Sequence, residues 1–169
     1  IDGVLERFDP RGAPVPLVFD SPHSGTVYPD DFGFTAPADV VRTAEDTHVD
    51  ALFAGAPEHG APLLIAHFPR SYIDTNRHLD DLDPELIDGA WPGKIAPGEK
   101  TKLGIGLVRR LAQSGIPMYE RKLSVAAISG SAALFASGVQ SSADAAVQAM
   151  LLVESSPRGR AKPWFFWAF

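Results

Sequence analysis

The chemistry-bearing residues of this chain fall into three groups. The first is His23, set between Ser21 and Ser24 where the apolar run "PVPLVFD" gives way to the turn "SPHSG". Imidazole serves both as a ligand for borderline metals and as a general base, and open α/β sheets build their sites at the carboxyl ends of strands. A loop histidine bonded only to its neighbours is the competing reading. The second group, "AEDTHVD", holds Glu45, Asp46 and His48. Adjacent carboxylates there suit either the first turn of a helix or a metal site begun by His23. Glu45 and His48, three residues apart, would share a helix face. The third group, "PRSYIDTNR", carries Arg70, Asp74, Asn76 and Arg77. A guanidinium beside an amide can grip a carboxylate with two parallel hydrogen bonds, with Arg42 as a further candidate. Salt bridges to Asp74, Asp80 and Asp81 are the alternative use of the same arginines.

Elements that could position these groups follow from periodicity. Residues 14–20 and 61–68 are short apolar runs bounded by turn residues, and both read as buried strands. A helical turn is expected near Ala38–Arg42. Val49, Leu52, Phe53 and Ala56 recur at helical spacing, which predicts one amphipathic helix from about Glu45 to His59 and Gly60. Strand, helix and strand in this order imply an α/β unit with a parallel pair. Residues 78–102 form a polar excursion rich in Pro and Gly, of a length that compact domains keep for function or leave without order. "LGIGLVRRL" and "IPMYERKLSV" read as two strands joined by "AQSG". From about Ser129 the composition turns to Ala and Ser, with a possible helix over 143–153 and a closing "PWFFWAF" without clear period.

Composition narrows the classes. The chain has 169 residues, enough for one domain with a real core, and is 45% hydrophobic and 21% charged. A net charge of -6 argues against nucleic acid or an anionic membrane as partner. With no cysteine, any metal must be held by His, Asp, Glu or water. No apolar stretch is long enough to span a bilayer and no leader pattern opens the chain, so a cytoplasmic location is expected. "GIG" at 104–106 is too short and wrongly placed for a dinucleotide fingerprint, and there is no G-x-S-x-G elbow.

Taken together, "VFDSPHSGTVYP", "AEDTHVD", "LIAHFPRSYIDTNR", "DGAWPG", "EKTKLGIGLVRRL" and "IPMYERKLSV" resemble the N-formylglutamate amidohydrolase (N-formylglutamate deformylase) family, in order from about residue 14 to 127. The resemblance implies a mixed α/β sheet flanked by helices, similar to zinc-dependent exopeptidases. It implies Zn2+ as cofactor, with His23 as first ligand and the carboxylate ligand supplied by Glu45 or Asp46. Arg70, Asn76 and Arg77 would bind the substrate, a small anionic N-acyl amino acid. The implied reaction is hydrolysis of N-formyl-L-glutamate to formate and glutamate, a step of histidine breakdown. The family continues past "RKLSV" into a second half that supplies a third ligand and a catalytic carboxylate. This chain has no histidine after His78. Residues 1–128 are therefore expected to form the amino-terminal part of such a domain, and 129–169 an atypical tail from a truncated or shifted reading frame. The resulting expectation is a zinc amidohydrolase in which His48, His59, His67 or His78 stands in as ligand. The alternative is an inactive remnant or binding module of the same fold.

Overall fold

The computed structural model describes residues 3–112 and 114–130, together with the backbone of residues 164–167. The two apolar runs become β2, Leu17–Ser21, and β3, Leu63–Ala66, preceded by β1, Leu5–Phe8. β2 and β3 pair in parallel, Phe19 against Leu63 and Ser21 against Ile65, as the strand–helix–strand order requires. β1 adds antiparallel to the other side of β3, Leu5 opposite Ala66, so the sheet is mixed. The sequence carries no strand signal there, because "LERF" sets two adjacent, exposed charged residues in the middle of a four-residue edge. Beyond β2 lies β6, Trp164–Trp167, in parallel register with Leu17 opposite Trp164. The order is thus β1-β3-β2-β6. The strand on that side of β2 comes from the closing segment read as lacking a period. The expected helix over 143–153 lies outside the described residues.

Parallel pairing has a direct consequence for the site. β2 and β3 both finish at the same edge of the sheet, so the turn bearing His23 and the segment bearing Arg70 and Asp74 emerge side by side.

The connection between them is more broken than its periodicity suggests. α1 occupies Ala38–Arg42 as expected, but α2 covers only Val49–Phe53, followed by a single 3-10 turn, Ala56–His59. His48 takes a left-handed conformation (φ 69°) at the start of α2, which leaves Glu45 and Asp46 outside the helix. Glu45 and His48 therefore share no helix face. Pro57 offers no amide hydrogen, and Gly60 ends the turn at φ 85°.

The excursion over 78–102 contains β4, Ile87–Asp88, and α3, Glu99–Lys102. β4 pairs in parallel with β5, Leu123–Ser124. Of the expected pair of strands over 103–125, β5 is the part that forms a strand, and the rest holds isolated bridges, Ile105 with Arg109 and Leu111 with Pro117. Gly104 explains part of this: at φ 78° a side chain there would strike Leu111 at 2.6 Å, and the chain turns instead of extending. Residues 125–130 are helical.

The main core gathers Phe32, Val41, Ile73, Leu82, Leu107 and Met118, all at most 6% exposed. Each such side chain contributes about 1.5–3 kcal/mol by leaving water. Ile73 and Leu107 flank the site directly, so the residues beside them inherit a fixed backbone.

Candidate functional site

The turn after β2 is held from within. Ser21 and Ser24 hydroxyls lie 2.8 Å apart and buried, closing the turn around His23. Gly25 follows because its backbone passes against β3's exit: a Cβ there would meet Phe68 O at 2.3 Å and His67 O at 2.4 Å. Val27 N donates to His67 O at 2.8 Å and completes the contact. His23 is left 2% exposed with both ring nitrogens facing carboxylates.

On one side, Nε2 lies 3.0 Å from Asp74 Oδ1. Asp74 is fully buried and also accepts Asn76 N at 3.0 Å and Arg70 Nη2 at 2.9 Å, with Arg77 Nη2 at 3.5 Å. Burial alone would raise its pKa, but the hydrogen bonds and charges of His23 and Arg70 outweigh that and hold the carboxyl well below the usual range. It is an anion. An ionised carboxylate can only accept, so Nε2 carries a proton and donates it to Asp74 Oδ1, which leaves Nδ1 as the nitrogen facing Asp46.

On the other side, Nδ1 lies 3.3 Å from Asp46 Oδ2. It is buried and has no hydrogen-bond partner among the described residues. Asp46 reaches this position because its own N donates to His23 O at 3.1 Å. Glu45 turns away and accepts the Tyr28 hydroxyl at 2.5 Å. Burial first, then the hydrogen bond to Glu45 and its charge, pushes Tyr28 up to about 12. Of the two carboxylates the sequence left open, it is Asp46 that stands beside His23.

Arg70 bridges the two sides, giving Nη1 to Asp46 Oδ2 at 2.9 Å and Nη2 to Asp74 Oδ2 at 2.9 Å. Arg77 turns to backbone carbonyls, Nε to Ile105 O at 3.3 Å and Nη1 to Asn76 O at 2.8 Å. Asn76 contributes its backbone, and the residue itself is exposed. Arg42 lies apart, over the Tyr28 ring at 5.9 Å from its centre. Asp20, last but one in β2, is raised by burial to about 6 against the opposing charge of His23.

A cavity of about 420 Å³ opens on Asp46 and Arg70, within the range of small-molecule sites. Ile105, Leu111 and Ala112 form its apolar wall, and Arg109 lines it as well. Arg109 is not among the residues that the sequence motifs single out, since "LGIGLVRRL" reads only as a strand. In the fold Arg110 does pair outward, with Asp83 at 2.7 Å and Glu85 at 3.2 Å. Arg109 turns inward and is 7% exposed. Burial, then the nearby charge of Arg70, lowers its pKa, with Asp74 acting in the opposite sense.

The residues fit a metal in part. The partnerless Nδ1 and a carboxylate oxygen 3.3 Å away form an edge close to the ~3.4 Å expected between two ligands of a tetrahedral zinc. Arg70 holds the same oxygen, so an ion seated there competes with it. Among the described residues, no group of three His, Asp or Glu side chains could hold a metal. The histidines expected as substitutes lie elsewhere: His67 faces Glu6 at 3.5 Å, His78 faces Asp80, and His48 and His59 are exposed in the β2–β3 connection.

Comparisons with known proteins point to one family. A model of the N-formylglutamate amidohydrolase family matches residues 15–135. An N-formylglutamate deformylase of Pseudomonas aeruginosa is 35% identical over 88 residues, which is 50% of this chain and 33% of that protein. The crystal structure of N-formylglutamate amidohydrolase from Ralstonia eutropha JMP134 is 44% identical with a TM-score of 0.84, covering 88% of this chain and 54% of that one. The chain thus spans about a third of the curated relative and about half of the solved one.

Proposed function

From the premise that this chain belongs to the N-formylglutamate amidohydrolase family, we propose that it hydrolyses the amide of a small anionic N-acyl amino acid. For N-formyl-L-glutamate the products are formate and glutamate. The observation that carries the reading is the buried, partnerless Nδ1 of His23 facing Asp46 Oδ2 at 3.3 Å, with Nε2 committed to Asp74.

His23 and Asp46 would hold the zinc, and Glu45 would not. The chemistry a bound zinc supplies is activation of a water near neutral pH and polarisation of the amide carbonyl. The protein's own part is to prepare the donors. Asp74 fixes the plane of the imidazole by accepting from Nε2, and Arg70 holds the Asp46 and Asp74 carboxylates in place by charge-assisted hydrogen bonds. Three guanidinium groups, on Arg70, Arg77 and Arg109, stand near two carboxylates, Asp46 and Asp74, and leave a surplus positive charge at the cavity. An acidic substrate is drawn in by that surplus and oriented against the donors. This is a small-molecule partner in the cytoplasm, within histidine breakdown, on a sheet read as that of the zinc-dependent exopeptidases.

A second reading has one observation in its favour. Only two donors converge among the described residues, whereas catalytic zinc sites use three. A module of the same fold would then bind the anion without cleaving it.

Zinc content after purification, together with formate release from N-formylglutamate, separates the readings. Stoichiometric zinc that is lost in His23→Ala and Asp46→Asn but kept in Glu45→Gln supports the hydrolase. Zinc no higher than background, with no formate released on adding the ion, leaves the binding module.

A further inference from the structure

Arg109 has a property that the other arginines of the site lack. Arg70 is spent on Asp46 and Asp74, and Arg77 on Asp74 and two carbonyls. Arg110 is spent on Asp83 and Glu85. The Arg109 guanidinium has neither a hydrogen bond nor an ion pair among the described residues, and its Nε is buried without a partner. A cation taken out of water to this degree is costly unless an anion comes to it. It lines the same cavity as Asp46, where the reacting amide must lie, and its neighbours in the wall are aliphatic.

We propose that Arg109 is the specificity-determining residue of the site, and that it takes the side-chain carboxylate of an acidic amino-acid substrate. The α-carbon sits next to the amide and so stays at the Asp46 end. The methylenes of the side chain then run along Ile105 and Leu111, and the terminal carboxylate meets the unspent guanidinium. Arg70 and Arg77, which sequence spacing favours for this task, become positioning residues for Asp46 and Asp74. The backbone places Arg109 by two hydrogen bonds in series, Asp74 N to Leu107 O at 2.8 Å and Leu107 N to Asp81 O at 3.0 Å. The assignment rests on the cavity being the substrate site.

L-Glutamate and L-glutamine have the same shape and differ in side-chain charge, so they make the test. Calorimetric titration of the full chain should give at least tenfold tighter binding of glutamate. Arg109→Met should bring the two within twofold, Arg109→Lys should keep a preference of several-fold, and Arg110→Gln should match the native chain. No preference in the native chain overturns the assignment, as does a preference that survives Arg109→Met. Should Arg109→Met fail to fold, the Nε–Hε resonance of Arg109 in the native chain decides. It should move on adding glutamate and stay put with glutamine, and a resonance unmoved by glutamate overturns the proposal. The two readings can fail separately. A preference that depends on Arg109, without zinc or formate release, defeats the hydrolase alone. Formate release with an unaltered preference in Arg109→Met defeats the arginine alone.

Discussion

Replacing Asp74 by asparagine tests whether one buried carboxylate organises the site. The isosteric amide keeps the volume and removes the charge, so packing changes little. What is lost is the shared acceptor of Arg70 Nη2 at 2.9 Å and His23 Nε2 at 3.0 Å, with Arg77 at 3.5 Å, at a position without solvent. Breaking one partner out of a buried charged cluster costs about 3–5 kcal/mol, since the remaining charges stay desolvated. Against a total stability of about 5–15 kcal/mol that is a large fraction. Urea unfolding followed by circular dichroism reads it directly. The double variant Asp74→Asn/Arg70→Met should be less destabilised than the two singles added together, by at least about 1 kcal/mol, because removing Arg70 relieves a stranded cation. Acid gives a second readout. The folded pKa of Asp74 lies below its unfolded value, so its contribution is present above the unfolded pKa and is lost as pH falls through the folded one. Asp74→Asn should lack that component of acid sensitivity. A loss under about 1 kcal/mol, or an unchanged acid slope, refutes the account of Asp74 as the hub.

Two further predictions concern the same strand end. Asp20 titrates in the opposite sense: its folded pKa of about 6 lies above the unfolded 3.8, so its contribution is full below 3.8 and lost as pH rises through 6. Asp20→Asn should raise stability at pH 7 by up to about 3 kcal/mol and flatten the decline between pH 4 and 6, as checked by urea titrations at both ends. Gly25→Ala puts a Cβ within 2.4 Å of backbone at His67 and Phe68 and should cost about 1–3 kcal/mol, whereas Gly33→Ala meets nothing within 4 Å and should be neutral by thermal denaturation.

Much of the frame was legible in the sequence because strand signals are local. Val18 and Phe19 before "SPHSG", and "LLIA" before "HFPR", are apolar runs cut off by turn residues, and each became a strand delivering a polar group. The helix from Glu45 to Gly60 was over-read for a physical reason. Its apolar spacing is real, but Pro57 and the left-handed His48 break the hydrogen-bond ladder that the spacing alone would suggest. Over 103–112 the reverse happened: "GLVRR" alternates like a strand, yet a glycine at positive φ and a buried arginine turn it into a wall of the cavity. Adjacent Glu45 and Asp46 could not be told apart from residue type. The choice depends on a backbone bond from Asp46 N to His23 O, which spans segments far apart in sequence. Arg109 carried no signal, because burial of one member of an "RR" pair is set by the partners that Arg110 finds.

The excursion over 78–102 is fastened near both ends. Asp81 accepts Gly98 N at 2.6 Å and the Thr101 hydroxyl, while Ala96 N donates to Asp80 O at 2.7 Å. The tip between these clasps, "GAWPGK" at 89–94, is mostly exposed, and a Cβ at Gly89 would meet nothing. Closing a loop costs entropy that grows only with the logarithm of its length, about 0.6 kcal/mol per doubling. The tip can therefore lengthen, or carry a grafted epitope or fluorescent label, while the ends that register Leu107 against Asp74 stay tied.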